Sequence, residues 1–545
     1  MNYKYLLVFL LMNISTFSFA QYISGVTQPD TSIQKIMDEN DLSYRYARSI
    51  TAEEMKSHLE VLASDEFEGR ETGKEGNLKA SSYIANKLEE FRVKEGGDHK
   101  SYFQPVAFTF SKWLDTEIYI NGERYKHMWD YLTFPQDNES RPLLTADEVI
   151  FLGYGIDDPI YNDYKKKKVA GKVIMINKGE PMKKDSVTSW MTKDTSLSEW
   201  STDINKKLIA AKKHGVELVL IIEDDIKGLL AENRRKLLGG TMQLGDKTKE
   251  ESPYANHCYI STNIAKALIG DKQKKIIKSR KYTMKKGKNC DVKLDKLNFT
   301  ITQLKETTVL ESRNVLGIIE GTDKKDEYVI VSAHLDHLGK RGDAIYNGAD
   351  DNGSGTTTIL EVAEAFSRAA RLGDRPRRSV VFLWVTGEEK GLLGSNYYAN
   401  NPIYPLEQTM ANVNVDMVGR IDRKYGEKGI EDYIYVIGSD RLSTDLHKIN
   451  EAANQKYTQL ILDYKYNDEK DPNRFYYRSD HYNFAKNGIP AIFFFNGTHN
   501  DYHKVTDTVD KINFEKMEKI GKLIFHSTWE LANREEKIVV DGEVR

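Results

Sequence analysis

The chain has 545 residues, and 79 Lys and Arg against 82 Asp and Glu give it a formal net charge of −3. This length exceeds what one ordinary hydrophobic core serves, so we expect two or more domains. The near balance of charge gives no indication of nucleic acid or an anionic membrane as a partner. The sequence does not fix the oligomeric state.

The first 20 residues have the pattern of a secretory signal peptide. A Lys near the start is followed by an apolar middle and by small residues at Ser18 and Ala20. We expect cleavage after Ala20 and an exported protein, either periplasmic or extracellular. The apolar run is short and interrupted, so a single-span anchor is the weaker alternative, and no stable membrane span is expected after cleavage.

The sequence is compatible with either a disulfide or two free thiols at its two cysteines, Cys258 and Cys290. In an oxidising compartment they can pair, and two buried free thiols are an equal alternative. The sequence has no CxxC motif, so a thiolate metal site has no support.

The first part of the predicted catalytic domain covers residues 45–125. Residues 50–91 predict two helices separated by a turn. Thr51 followed by Glu54 has the spacing of a capping box at the start of the first helix. In the second helix, apolar residues recur at helical spacing from Ala80 to Phe91.

Residues 130–300 predict a β-rich domain inserted into the α/β domain. Short apolar runs are broken by Gly and Pro, and a helix that stops at Gly215 is followed by a buried strand. The Lys-rich stretch 272–290 is interpreted as a solvated β-hairpin or loop rather than as a nucleic-acid patch.

From about residue 310 the pattern changes to alternating strands and helices, which predicts a three-layer α/β/α domain with a mostly parallel mixed sheet over residues 301–535. The predicted strands are listed here by their letters: "YVIVSAH", "SVVFLWV", "MANVNVD", "YIYVIGS" and "PAIFFFNG". Because ligands in open α/β sheets bind at the carboxyl ends of the strands, the residues that follow these strands are the candidate site.

Polar residues collect at those strand ends. Glu388 and Glu389 directly follow an apolar strand, where adjacent carboxylates repel each other and lose solvation unless a cation offsets the cost. His334 ends another strand, with Asp336 two residues later to orient its ring. His337 competes as the ligand, and His334 is preferred because its Asp lies on the same extended side.

The remaining candidates follow in chain order. Glycines bracket Asp350 and Asp351, Asp416 ends a strand, and Tyr502 and His503 follow the last strand. Each alone is typical of an ordinary turn or helix cap. Together they supply His, Asp and Glu ligands, with three N/O ligands per ion around an open position, as suits zinc. A second Glu is then available to take a proton from water.

The motifs "AHLDHLG", "GADDNGSG", "TGEEKGLLGS", "NVDMVGR" and "YHKVTDT" resemble those of the di-zinc exopeptidases, the family of secreted bacterial aminopeptidases, aminopeptidase Y and glutamate carboxypeptidase II. They cover residues near 328–510. The insert, with "GYGIDDPIYNDY" and "AAKKHGVELVLIIED", is similar to a protease-associated domain.

The resemblance implies two zinc ions per chain and peptide substrates. It implies that Asp351 bridges the two ions and that Asp350 supports it. The implied ligands of one ion are His334, Asp351 and Asp416, and those of the other are Asp351, Glu389 and His503. It also implies roles for three further residues: Glu388 as general base, Asp336 as the residue that orients His334, and Tyr502 as a donor to the tetrahedral oxyanion.

An aminopeptidase is therefore the first functional expectation. A carboxypeptidase of the glutamate carboxypeptidase type is the alternative, and Arg420, Arg474 and Arg478 are its candidate basic residues. Glutaminyl cyclisation is disfavoured because of the insert. A non-catalytic, receptor-like binding protein is disfavoured because no implied ligand is missing.

Overall fold

The computed structural model describes residues 24–32, 38–289 and 292–544. The expected signal peptide and Cys290 lie outside the described residues, and so do the cleavage site and the possible disulfide. Cys258 is buried. No helix of the described part is long and apolar enough to cross a bilayer.

The chain divides into two compact units, residues 1–105 with 312–545, and residues 106–311. Both boundaries fall inside long strands, Phe103–Ile120 and Phe299–Ile319. The bounds expected from the sequence, 45–125 and 301–535 for the catalytic domain and 130–300 for the insert, stay predictions. The assignment of the insert as a protease-associated domain stays a prediction.

The first unit is built on a mixed sheet whose central strands are parallel. We name five of its strands β1 (Lys324–His334), β2 (Arg378–Val385), β3 (Thr409–Val415), β4 (Tyr433–Ile437) and β5 (Ala491–Phe495). The spatial order is β4-β5-β3-β1-β2, with parallel pairing from β5 through β2 and antiparallel pairing of β4 with β5. The other strands of this unit are Val26–Thr27, Lys94–Glu95, Gly339–Arg341, Ala344–Tyr346 and Ile461–Asp463.

Helices cover both faces of this sheet, so the three-layer α/β/α prediction is confirmed. Alternate residues of β2 face opposite cores: Phe382 and Trp384 pack on one side, and Val381 and Leu383 on the other. Burial on both faces explains why these strands are continuous apolar runs. We name four helices α1 (Ala52–Leu62), α2 (Glu75–Glu90), α3 (Gly355–Arg371) and α4 (Phe514–Asn533). The others are Leu42–Ala47, Leu393–Asn400, Arg423–Gly426, Thr444–Ala453 and His481–Ala485.

The helix-start prediction at Thr51 is confirmed. The Thr51 hydroxyl accepts a hydrogen bond from the Glu54 N–H at 3.2 Å and donates one to the Glu54 carboxylate at 2.9 Å. Thr51 is therefore the N-cap of this helix, and the Glu54 carboxylate contacts the Thr51 hydroxyl rather than the Thr51 N–H that a full capping box would engage.

The second unit has its own sheet and its own cores. Four parallel strands, His257–Ile260, Leu218–Ile222, Val173–Asn177 and Val149–Phe151, lie side by side, with Tyr131–Leu132 antiparallel at one edge. Its remaining strands are Glu123–Tyr125, Arg141–Ala146 and Thr241–Leu244. Its helices are Glu199–Thr202, Ile204–Lys213, Ile226–Gly239, Thr262–Ile269 and Gln273–Lys286.

The prediction for the Lys-rich stretch is wrong, because Gln273–Lys286 is a helix. It buries a narrow stripe made of Ile276, Ser279 and Thr283, spaced three and four residues apart. Only one of those three is a large hydrophobe, so the helical period is weak in the sequence, and the lysines cover the solvent side.

Candidate metal centre

The site forms at the carboxyl edge of the parallel sheet because register places three strand ends side by side. In the β1–β2 pair His334 lies opposite Val385, and in the β1–β3 pair Ser332 lies opposite Asn414. Two residues beyond that pair, Asp416 comes level with His334. The glutamates after β2 reach the same edge, as expected for ligands of an open α/β sheet.

A first group of candidate ligands is formed by His334, Asp351 and Asp416. The His334 Nε2 atom lies 3.5 Å from Asp351 Oδ1 and 3.3 Å from Asp416 Oδ1. Ligand atoms about 2.0–2.2 Å from a tetrahedral zinc lie about 3.3–3.6 Å from one another. The spacing of this group therefore fits one ion.

A second group forms on the other side of Asp351. The His503 Nε2 atom lies 2.9 Å from Asp351 Oδ2 and 3.2 Å from Glu389 Oε1. The His337 Nδ1 atom also faces this group, 2.9 Å from Glu389 Oε1 and 3.8 Å from Asp351 Oδ2. The structure thus brings all five implied ligands together with Asp351 between them, and it adds His337.

The donor set fits a divalent metal. His337 is buried and Glu389 is half-buried with its Oε1 atom shielded from solvent, yet neither ring nitrogen of His337 nor that Oε1 atom makes a hydrogen bond of good geometry among the described residues. Buried polar atoms without such partners carry a desolvation cost that a bound cation removes. Imidazole and carboxylate donors without thiolates suit a borderline metal such as zinc.

Asp351 is held by a glycine turn that precedes α3. At Gly348 the backbone has φ +57°, and a Cβ there would come within 2.2 Å of Asp351 O and 2.4 Å of the His337 ring, so this position requires glycine. The Asp351 N–H donates to Asp507 Oδ2 at 3.2 Å. The Asp350 carboxylate points away from the ligand groups and accepts from the Gly419 N–H at 2.7 Å.

Arg70 ties the same turn to the end of β1. Its buried guanidinium donates to the carbonyl oxygens of Leu335, Asn347 and Gly348 at 3.0, 2.7 and 2.9 Å. Burial lowers the pKa of Arg70 to about 10, so it remains charged at neutral pH. Sequence reasoning missed this residue, although it belongs to the "EFEGRETG" segment that precedes α2.

Asp336 contacts both His334 and the glutamate loop, by different atoms. Its main-chain carbonyl lies 3.0 Å from His334 Nδ1, whereas its carboxylate Oδ1 lies 3.9 Å from the same nitrogen. That carboxylate accepts from the Glu388 N–H at 3.1 Å and from the Thr72 hydroxyl at 2.7 Å. It therefore fixes the backbone at Glu388.

The two adjacent glutamates face different partners. Glu388 Oε2 lies 3.9 Å from His334 Nε2, and Glu389 Oε1 lies near His337 and His503. Burial raises the pKa of Glu388 well above its usual range, with the Glu389 charge adding to it against the opposing imidazolium of His334. Burial also raises the pKa of Glu389, but its two imidazole neighbours outweigh burial and hold it well below the usual range.

Tyr502 lies against a small pocket beside the candidate ligands. Its ring stacks on that of His503 with centroids 3.8 Å apart, and its hydroxyl accepts from Arg478 Nη2 at 3.3 Å. Burial raises the pKa of Tyr502, so the phenol keeps its proton at neutral pH. The apolar lining of the pocket is Met417, Phe475, Phe493 and Phe495.

A hydrogen-bond chain that sequence reasoning missed positions Asp416. The Ser479 hydroxyl donates to Asp416 Oδ2 at 2.7 Å and accepts from Asn414 Nδ2 at 2.9 Å. Asn414 Oδ1 in turn accepts from the Ser332 hydroxyl at 2.8 Å. Asn414 and Ser332 lie in predicted strands that we interpreted as apolar core, and the polar residues at alternate positions were the available signal.

A third cluster of acidic side chains among the described residues, Glu54, Glu361 and Glu364, has protein partners instead. Glu361 Oε1 lies 3.2 Å from His58 Nε2, and Glu364 Oε1 accepts from Arg368 Nη2 at 2.8 Å. This cluster is an ion-pair network that joins α1 to α3.

The fold and the strand-end motifs agree with the comparisons with known proteins. Residues 314–528 match the model of peptidase family M28, which confirms the resemblance to zinc exopeptidases over that stretch. The structure of an aminopeptidase from Aneurinibacillus sp. strain AM-1 superposes with a TM-score of 0.54 over 92% of this chain and 98% of that one, at 19% identity, and shares the fold.

Two relatives are similar in sequence to part of this chain. A probable leucine aminopeptidase of Arthroderma otae is 33% identical over 226 residues, which cover 40% of this chain and 57% of that protein. Aminopeptidase YwaD of Bacillus subtilis is 28% identical over 243 residues, which cover 43% and 48% of the two chains. The chain thus spans about half the length of these relatives.

Proposed function

We propose that this protein is an exported, zinc-dependent aminopeptidase that releases N-terminal residues from peptides. The observation that carries the proposal is the pair of ligand groups that share Asp351, with Glu388 beside them at the same sheet edge. The match to peptidase family M28 and the names of the two relatives support peptide hydrolysis from the amino end.

The residues of the site divide into ligands and groups that handle protons. His334 and Asp416 would hold one zinc, Glu389 and His503 would hold the other, and Asp351, which faces both groups, would serve both. Bound zinc supplies a Lewis acid for the peptide carbonyl and makes a nearby water more acidic. Glu388 accepts the proton of the attacking water and returns it to the leaving amine, a role that suits a carboxylate 3.9 Å from His334 at the edge of the ligand groups.

Tyr502 and Asp336 support this chemistry without ligating metal. The Tyr502 hydroxyl lies on the pocket wall, where its retained proton can be donated to the oxygen of the tetrahedral species. Asp336 holds the Glu388 backbone through the N–H contact at 3.1 Å, which keeps the base at a fixed place.

The pocket favours a peptide whose terminal side chain is apolar. Three phenylalanines and Met417 line its wall opposite the acidic residues of the site. Contact of an aliphatic or aromatic side chain with this wall is favoured because it removes apolar surface from water. Peptides and short polypeptides, rather than nucleic acid, are therefore the proposed substrates.

The carboxypeptidase alternative rests on Arg478, which lines the pocket and lies with its guanidinium 4.8 Å from the centroid of Phe475. Arg420 is engaged elsewhere, in an ion pair with Asp501 at 2.8 Å, and Arg474 lies over the ring of Tyr477. Glutaminyl cyclisation and a non-catalytic binding role have no feature of the site in their favour.

A substrate screen tests the proposal. Rates on leucyl, phenylalanyl and glutamyl anilides are compared with rates on N-acylated peptides that end in glutamate. The aminopeptidase proposal expects hydrolysis of the first set with leucine or phenylalanine preferred. Hydrolysis confined to the acylated peptides, abolished in Arg478→Gln, would establish the carboxypeptidase instead.

Metal content and export are tested separately. We propose two zinc ions per chain, and elemental analysis of dialysed protein that finds no bound transition metal contradicts this. Export after cleavage at Ala20 predicts a mature protein that begins at Gln21, which N-terminal sequencing of the secreted form checks. We also propose that the second unit is a protease-associated domain.

A further inference from the structure

We infer that His337 is a fourth protein ligand of the zinc held by Glu389 and His503, so the two zinc positions are chemically unequal. The inference rests on the proposed function and extends it, because the implied ligand set of that position contains only one histidine. Two observations support it: the position of the His337 ring relative to the candidate ligands, and the contacts of the surrounding chain that hold the ring in that position.

The position of the ring is that of a ligand. His337 Nδ1 lies 2.9 Å from Glu389 Oε1 and 3.8 Å from Asp351 Oδ2. The corresponding distances of His503 Nε2 to the same two oxygens are 3.2 and 2.9 Å. Three of the four values are shorter than the 3.3–3.6 Å expected, roughly, between ligands of one tetrahedral zinc and one is longer, and each lies within about 0.4 Å of that range. The two imidazoles therefore approach the same pair of carboxylate oxygens.

Among the described residues, the His337 ring has no hydrogen-bond partner outside the group of candidate ligands. It is fully buried, and neither of its nitrogens makes a hydrogen bond of good geometry there. A buried imidazole that is only part of a core normally finds a hydrogen-bond partner, because an unsatisfied buried polar atom destabilises the folded state. A metal bond from Nδ1 removes that cost for one nitrogen.

The chain around the ring is adapted to it. The His337 N–H donates to the Arg70 carbonyl at 3.3 Å, which fixes the backbone that carries the ring. Gly348 leaves the space that the ring occupies, since a Cβ there would lie 2.4 Å from the ring carbon Cδ2. The glycine turn that holds Asp351 therefore also makes room for His337.

The two metal positions then differ in openness. The His334 side has three protein donors, which leaves a position for water or substrate, whereas the His337 side has four and is closed. A zinc with four protein ligands is retained more tightly than one with an open position, so we expect the two ions to leave in order during chelation.

The experiment measures zinc affinity, not turnover. Wild type, His337→Gln and His337→Ala are titrated with zinc against a chromophoric chelator, and the content of dialysed protein is determined by elemental analysis. The inference expects two zinc ions per chain in wild type and about one in each variant. It also expects the zinc affinity of one position only to fall by at least about 100-fold, which is more than the loss of an indirect contact to a ligand causes. Added imidazole should restore the second ion in His337→Ala, since it can occupy the vacated space.

His526→Gln is the matched control. His526 is a buried histidine of the same unit, and its Nδ1 lies 2.7 Å from the Ser43 hydroxyl, away from the candidate ligands. Its substitution therefore tests whether removal of any buried imidazole lowers the metal content. Circular dichroism establishes that each variant is folded. If a variant is unfolded, X-ray absorption on wild type decides: about three histidines for two zinc ions support the inference, and two overturn it.

The outcomes separate the inference from the proposed function. Two ions with unchanged affinities in folded His337→Gln overturn the inference and leave the di-zinc proposal intact. Wild-type protein that binds no zinc overturns both.

Discussion

Glu388 and Glu389 are neighbours with different tasks, and substitution by glutamine separates those tasks. Glu388→Gln keeps the shape of the side chain but cannot accept a proton. We expect near-normal zinc content and peptide binding, with turnover lower by roughly two to four powers of ten, the scale of general acid–base catalysis. Glu389→Gln should instead lower zinc content, because an amide is a poorer ligand than a carboxylate.

Zinc analysis and steady-state kinetics on both variants check this assignment. Metal loss in Glu388→Gln together with retained metal and lost turnover in Glu389→Gln would mean that the two roles are exchanged. Full activity of both variants would show that neither glutamate takes part in catalysis or metal binding. Asp351→Asn provides the comparison, since loss of the bridging carboxylate should loosen both ions.

Ser479 is predicted to act on zinc through Asp416. Ser479→Ala removes the donor to Asp416 Oδ2 and leaves Asn414 Nδ2 without its acceptor. Losses of this kind cost about 10- to 100-fold in metal affinity. We expect that decrease at one zinc position only, measured by chelator competition. Ser367→Ala, which removes a buried hydroxyl that donates to the Phe91 carbonyl far from the ligands, should leave affinity unchanged.

The strand ends show what a sequence can and cannot specify about such a site. His334, Asp416 and the glutamates were predictable, because each directly follows an apolar run and parallel strands end at one edge of the sheet. That His337 also faces the site was not predictable, because the chain leaves the strand after His334 and period-two reasoning no longer applies. Both rings reach the site, one from each side of Asp351.

Helices are the elements where the sequence was least informative. The prediction for α1 succeeded because Thr51 and Glu54 give a local signal. The helix Gln273–Lys286 was missed because its buried stripe contains one large hydrophobe among many lysines. Packing against the rest of its unit, which a single sequence does not reveal, outweighs the weak pattern.

At the contact between α1 and α3 we predict a pH-dependent stability. Glu361 lies 3.2 Å from His58 and is almost fully buried, and burial raises its pKa from 4.5 to about 7. Between pH 4.5 and about pH 7, Glu361 loses its proton in the unfolded chain but keeps it in the folded protein. The free energy of unfolding therefore falls as pH rises through this range. Above pH 7 the accumulated loss is roughly 3 kcal/mol.

Urea unfolding at pH 5 and pH 8 measures this effect. Glu361→Gln has no carboxylate to ionise at this position, so its free energy of unfolding should not fall with pH in the way that of wild type does. The difference in free energy of unfolding between the variant and wild type should therefore grow, in favour of the variant, by up to about 3 kcal/mol from the lower to the higher pH. Glu60→Gln, an exposed carboxylate on α1, serves as the matched control and should follow wild type. A Glu361→Gln variant that also follows wild type at both pH values would rule out the proposed cost of ionisation.

At the scale of the molecule, the two units have separate cores, and all candidate zinc ligands belong to one of them. The cores of residues 106–311 share no residue with those of the other unit. A ligand that binds only the folded state raises stability by an amount that grows with its concentration, about 2.7 kcal/mol at 100 times the dissociation constant. Zinc should therefore stabilise the first unit alone.

Differential scanning calorimetry with and without a chelator tests this expectation. We expect two transitions in the wild-type protein, of which removal of zinc lowers one by several degrees and leaves the other in place. In Asp351→Asn, which lacks the bridging ligand, the zinc-dependent transition should already occur at the lowered temperature before any chelator is added. The chelator should then shift it little. A single transition, or an equal shift of both, would mean that the units unfold together or that zinc binds outside the first unit.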